Sequence, residues 1–192
     1  IHIPETIAAK DQARRRLAFD ELLRVQLALV RRKREIEANS IGFVHDVGGE
    51  LVRRFHDALP YALTGAQRRV IGEIDDDLSS PRPMHRLLQG DVVSGKTVVA
   101  VTALLSAVQS GNQGALMAPT EVLAEQHLLS VRELVADLAV PDPDNLFGDR
   151  PLRVELLTNR ITGNARKQLL AELAAGGVDI VIGTHALIQT AV

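Results

Sequence analysis

The stretch Met84–Ala100, MHRLLQGDVVSGKTVVA, holds a short apolar run, a loop bounded by two glycines, a Lys-Thr pair and a second apolar run. Its centre, Gly90 to Thr97, fits the pattern GxxxxGK(S/T). That pattern carries meaning where a strand enters the loop and a helix leaves it. RLLQ at 86–89 predicts the strand, and residues from about Gly95 to Gln109 predict the helix. Such a loop wraps an anion with inward-pointing backbone N–H groups, reinforced by the positive end of the helix that follows. Gly90 and Gly95 supply the backbone freedom this needs, while Asp91, Val92, Val93 and Ser94 contribute amides between them. Lys96 can bring a full positive charge to the β- and γ-phosphates of a nucleoside triphosphate, and the Thr97 hydroxyl is placed to ligate Mg²⁺. Val93 occupies a free position of the pattern, although its branched side chain narrows the conformations open to it.

Outward from this loop, short apolar runs alternate with helical patterns. GALMAP at 114–119, LRVELLT at 152–158 and DIVIG at 179–183 predict three more strands. Helices are predicted over about Glu121–Leu138 and Asn164–Ala174. Strands separated by helices imply an α/β fold, a parallel sheet with helices on both faces. The segment 140–151, VPDPDNLFGDRP, reads as a surface loop. Before Pro60 the texture differs. Residues 11–38 place Phe19, Leu22, Leu23, Leu27 and Val30 at helical spacing, and a second helix including Gly48 and Gly49 runs toward Pro60. Residues 1–59 are therefore expected to form a helical arm, with one apolar stripe that must pack on something else, and 60–192 the α/β domain.

Composition narrows the classes. An apolar fraction of 46% with 24% charged residues is globular, and the absence of cysteine excludes disulfides, thiolate metal sites and a cysteine nucleophile. No apolar run is long enough to span a bilayer, which together with the lack of cysteine suits the cytoplasm. A net charge of -2 gives no global sign of a nucleic-acid partner. The phosphate loop alone leaves a small-molecule kinase or a non-hydrolysing interaction module open, whereas a GTPase would need an NKxD motif that is absent. Thr64 and Gln67 in LTGAQ stand at a helix start, where Gln67 can read the edge of adenine or simply complete a capping box. Glu125 and His127 lack the spacing of a zinc site.

Four motifs taken together go further than the loop. LPYALTGAQ, PMHRLLQGDVVSGKTVVA, ALMAPTEVLAEQH and DIVIGTHALIQ, in this order, resemble the motifs of the first RecA-like motor domain of the RecG family of ATP-dependent DNA helicases, in superfamily 2. RLAFDELLRVQLAL resembles the helical linker before that motor, so the likeness spans nearly the whole chain. Another superfamily 2 translocase shares the plan. The resemblance implies a P-loop NTPase fold, with ATP and Mg²⁺ as cofactors. It also implies a role in remodelling stalled forks and Holliday junctions during DNA repair and recombination, with branched or forked DNA as partner. It makes Gln67 an adenine reader. It also lays Pro119, Thr120 and Glu121, and Gly183, Thr184 and His185, along the DNA track, at strand ends that open toward helix N-termini. Two departures stand out: Val93 replaces a usual glycine, and LLTNRITGNARKQ replaces a shorter LTGS form. The chain ends at Val192, before the point where that family carries its Asp-Glu box. The expectation is a fragment that binds nucleotide but does not hydrolyse it, without the remaining RecG-like domains.

Overall fold

The structure is a computed structural model that describes residues 6–92, 94–141 and 148–189. The chain divides into two compact units, one up to Gly42 and one from Phe43 onward. The first is a single helix, α1 (Ile7–Asn39). Its start is fixed by the Thr6 hydroxyl, which accepts from the Ala9 amide, and Arg16–Asp20 and Arg31–Glu35 ion pairs run along it at i,i+4 spacing. The stripe of Phe19, Leu22, Leu23, Leu27 and Val30 is exposed.

The second unit contains α2 (Glu50–Ala58), α3 (Gly65–Leu78), α4 (Lys96–Gln109), β1 (Gly114–Met117), α5 (Glu121–Leu134), β2 (Ala139–Pro141), β3 (Asp149–Pro151), β4 (Val154–Leu157), α6 (Gly163–Ala174) and β5 (Ile180–Gly183), then a 3₁₀ turn His185–Ile188. Three strands form a parallel sheet in the order β1-β5-β4, with Gly114 and Val154 both in register with Ile180. Period-2 alternation along β5 divides the core. Ile180 and Ile182 join one apolar cluster with Phe55, Leu105 and Val131, while Val181 joins another with Leu157 and Leu169. The first cluster carries side chains of α2, α4 and α5 and the second those of α6, so helices cover both faces of the sheet.

Four sequence expectations need correction. Residues 86–89 form no strand: no described strand pairs with them, Leu87 is 89% exposed, and Met84 and Leu88 instead pack beside Ile71, Ile74 and Val99. The helix at Gly48–Gly49 begins only at Glu50, with Gly49 as N-cap. The cause is Gln109 of α4, whose amide donates to Asp46 O and accepts from the Val52 amide, filling the space a Cβ on Gly49 would need. The helix from Glu121 stops at Leu134, and a turn from Val135 to Leu138 buries both side chains before β2. The segment read as a loop at 140–151 has paired ends: β2 and β3 form an antiparallel ladder. Arg150 of β3 is anchored by a two-pronged ion pair to Asp179, with contacts of 2.6 and 2.8 Å.

α2 packs on α4 through Leu51, Val52 and Phe55, the last fully buried. Of the expected arm, this helix belongs to the same compact unit as the sheet.

Candidate functional site

α4 runs back alongside β1 through the short Ser110–Gln113 connection, which carries its N-terminus toward the carboxyl ends of the parallel strands. There Gly95 caps the helix with φ 73°, in the left-handed region that a side chain resists. A Cβ on Gly95 would also lie 2.4 Å from Gln67 Nε2, and one on Gly90 2.7 Å from Ser94 Oγ. Gly95 is thus favoured by conformation and by close approach, and Gly90 by close approach to Ser94 alone. The turn between them is held by Ser94, whose amide and hydroxyl both donate to Asp91 O, at 3.1 and 2.8 Å. Lys96 Nζ folds over it and donates to Gly90 O and Asp91 O, each at 2.7 Å. Val92 is almost fully exposed at the tip, and Val93 lies outside the described residues.

Gln67 serves two roles at once. Its Oε1 accepts from the Thr64 amide while the Thr64 hydroxyl accepts from the Gln67 amide, a complete capping box at the start of α3. Its Nε2 donates to Ser94 O at 3.0 Å, which ties α3 to the loop. A cavity of about 510 Å³ opens beside the loop, lined by Tyr61, Val92, Gly95, Thr97, Glu133 and Asp137. Sequence reasoning singled out neither Tyr61 nor the two carboxylates. Tyr61 is the only tyrosine of the chain and lies within LPYALTGAQ, a usable signal. Glu133 and Asp137 come from the end of α5 and the turn after it, and no local pattern marks them.

The other group of residues also comes together. Met117, Gly183 and Leu157 are in register, and the Ala118 amide donates to Gly183 O, so Pro119, Thr120 and Glu121 lie beside Gly183, Thr184 and His185 at one end of the sheet. Thr120 caps α5 by accepting from the Leu123 amide at 3.3 Å. Glu121 is paired with Arg160 at 2.7 Å, and Arg160 also reaches Glu125. Thr184 is 3% exposed and its hydroxyl has no partner among the described residues, while His185 is exposed. No group of three metal-ligating side chains occurs among the described residues, and no helix there is long and apolar enough to cross a membrane.

Known proteins place this geometry. The profile of the DEAD/DEAH box helicase family matches residues 64–192. The chain is 46% identical over its full length to the ATP-dependent DNA helicase RecG of Synechocystis sp., covering 22% of that protein. It is 48% identical over 189 residues to RecG of Bacillus subtilis, covering 26% of it. A solved structure of RecG bound to a three-way DNA junction superimposes with a TM-score of 0.80 at 40% identity, over 97% of this chain and 24% of that one. The chain therefore spans about a quarter of the length of the relatives it matches, and its α/β unit has the RecA-like fold. A glycine-bounded loop with the GxxxxGK(S/T) pattern at the start of α4, a capping glutamine hydrogen-bonded to that loop and a match over two thirds of the chain lead to one conclusion: the chain belongs to the DEAD/DEAH box helicase family.

Proposed function

We propose that these residues are the ATP-binding part of an ATP-dependent DNA helicase that remodels branched DNA, stalled forks and Holliday junctions among them, in repair and recombination. In this reading residues 60–192 belong to the first motor domain and 1–59 to the linker before it. The observation that carries it is the convergence of Lys96, Thr97 and Gln67 on one glycine-bounded loop at the carboxyl edge of a parallel sheet.

On nucleotide binding, Lys96 turns from the carbonyls of Gly90 and Asp91 to the β- and γ-phosphates, and the amides of 90–97 turn inward around them. Gln67 exchanges its bond to Ser94 O for the adenine edge, which couples base recognition to loop opening. Thr97, next to Lys96 at the start of α4, would hold a Mg²⁺ ion through its hydroxyl, and the ion would supply charge neutralisation at the phosphates. Thr120, Glu121, Thr184 and His185, with Pro119 and Gly183, face a DNA backbone. The exposed His185 beside Thr120 at one end of the sheet supports this. Cytoplasmic residence fits a chain free of cysteine.

The test is ATP turnover of the intact protein with and without a three-way DNA junction, beside Lys96→Ala. Junction DNA should stimulate turnover, and the variant should lower it by about a hundredfold or more. Unchanged turnover in the variant removes the loop assignment. Phosphorylation of a small molecule without DNA would show a kinase instead.

A further inference from the structure

We infer that Arg86 is a positioning residue for recognition of the nucleotide base, locking α3, and with it Gln67, against the phosphate loop. The inference rests on the reading of Gln67 as the adenine contact.

Arg86 lies four residues before Gly90, on the segment that runs directly into the loop. Its Nη1 meets Glu73 Oε2 at 2.6 Å and its Nε meets Asp77 Oδ2 at 2.7 Å. The two carboxylates are four residues apart on one face of α3, so one planar guanidinium grips the helix at two points a turn apart. On the side of this segment Ile71 and Ile74 pack with Val99, Met84 and Leu88, and at the helix end the Leu78 carbonyl accepts from the His45 amide. Apolar packing is non-directional and tolerates sliding, whereas paired charge-assisted bonds fix both position and rotation. Gln67 stands on the first turn of the same helix, and its Nε2 amide donates to Ser94 O across the loop. A shift of α3 by about 1 Å would carry Gln67 out of reach of its ligand edge, and misplacement on that scale is enough to degrade recognition. The grip also holds the guanidinium firmly charged: the hydrogen bond to Asp77 raises its pKa, with Glu73 adding to the effect.

Partly exposed ion pairs add little to stability. Loss of Arg86 should therefore appear in the geometry of the site rather than in unfolding.

The experiment measures kcat and KM of the intact protein for ATP and for GTP in Arg86→Ala, Arg86→Lys, Gln67→Ala and the Arg86→Ala/Gln67→Ala double variant. Arg86→Ala should lower the ATP-over-GTP preference about five- to tenfold through KM for ATP, with kcat within about twofold. Arg86→Lys, which keeps charge but can grip only one carboxylate well, should fall between. The double variant should lose no more preference than Gln67→Ala alone, because Arg86 acts through Gln67. Preference lost in Gln67→Ala but kept in Arg86→Ala overturns the role of Arg86, as do losses that multiply in the double variant. Unchanged preference in Gln67→Ala itself removes the adenine reading, and the inference falls with it. Should Arg86→Ala fail to fold, Glu73→Gln with Asp77→Asn cuts the same ties from the helix side and must give the same loss; an unchanged ratio there also overturns the role of Arg86.

Discussion

At Gly183 the sheet leaves no room for a side chain. A Cβ there would sit 2.0 Å from Leu157 O and 3.0 Å from Leu187 Cγ, and the first of these is backbone in the neighbouring strand. The central strand cannot move away without breaking its ladder to β1 on the other side. Gly183→Ala is therefore expected to cost about 3 kcal/mol, the upper end of what overpacking typically costs, because the atoms it meets cannot yield. Gly111→Ala is the control. That glycine has φ 78° but nothing within 4 Å of a built Cβ, so only the conformational penalty of about 1 kcal/mol applies. Urea unfolding of the two variants checks the difference. Equal losses would mean that close approach is not what Gly183 is for. The same position explains why β5 ends in glycine: it lets the strand pass close to Leu157 just before Thr184 is buried.

The α2–α4 contact carries a pH dependence of its own. His56 Nε2 lies 3.0 Å from Thr102 Oγ1, and the Thr102 hydroxyl donates to Val98 O at 2.9 Å, so a neutral ring donating to Thr102 completes the chain of bonds. Burial lowers the His56 pKa below its usual 6.5, an effect that outweighs the nearby Asp57 charge. The unfolded chain thus binds a proton that the folded one resists. The stabilisation is fully present above pH 6.5 and is lost as pH falls below that through the folded value. His56→Gln should flatten the stability slope just below pH 6.5 in urea titrations taken at several pH values. An unchanged slope would place the titration elsewhere.

At this scale the sequence was informative where local rules suffice. The GxxxxGK(S/T) pattern encodes backbone conformation at fixed offsets, so the left-handed Gly95 and the helix starting at Lys96 were legible, and so was the Thr64–Gln67 capping box. What depended on distant partners was not. RLLQ at 86–89 has the composition of a strand, but a strand needs a neighbour to pair with, and no window of sequence shows whether one is there. The start of α2 was displaced by Gln109, nearly sixty residues away, and the grip of Arg86 on Glu73 and Asp77 follows from how α3 lies on its lead-in segment.

In the whole molecule, every buried apolar residue described lies at Leu51 or later, so the core belongs to the unit that begins at Phe43. The sequence change at Pro60 suggests a boundary there, yet Leu51, Val52 and Phe55 are buried in the same cluster as Ile180 and Ile182 of the central strand. A chain beginning at Phe43 keeps this cluster and should unfold in one cooperative transition. A chain beginning at Pro60 loses three buried side chains at about 2 kcal/mol each, and strips cover from Leu105 and Val108 of α4 besides. That loss is comparable to the entire stability of a domain, about 5–15 kcal/mol. The shorter chain should therefore show no sharp urea transition by circular dichroism and should bind a dye specific for exposed apolar surface. A cooperative transition with an unchanged midpoint would show that α2 is dispensable to the core. If it is not, a helix read from sequence as part of an arm is also a wall of the core around the central strand, held to α4 through Thr102 and Gln109.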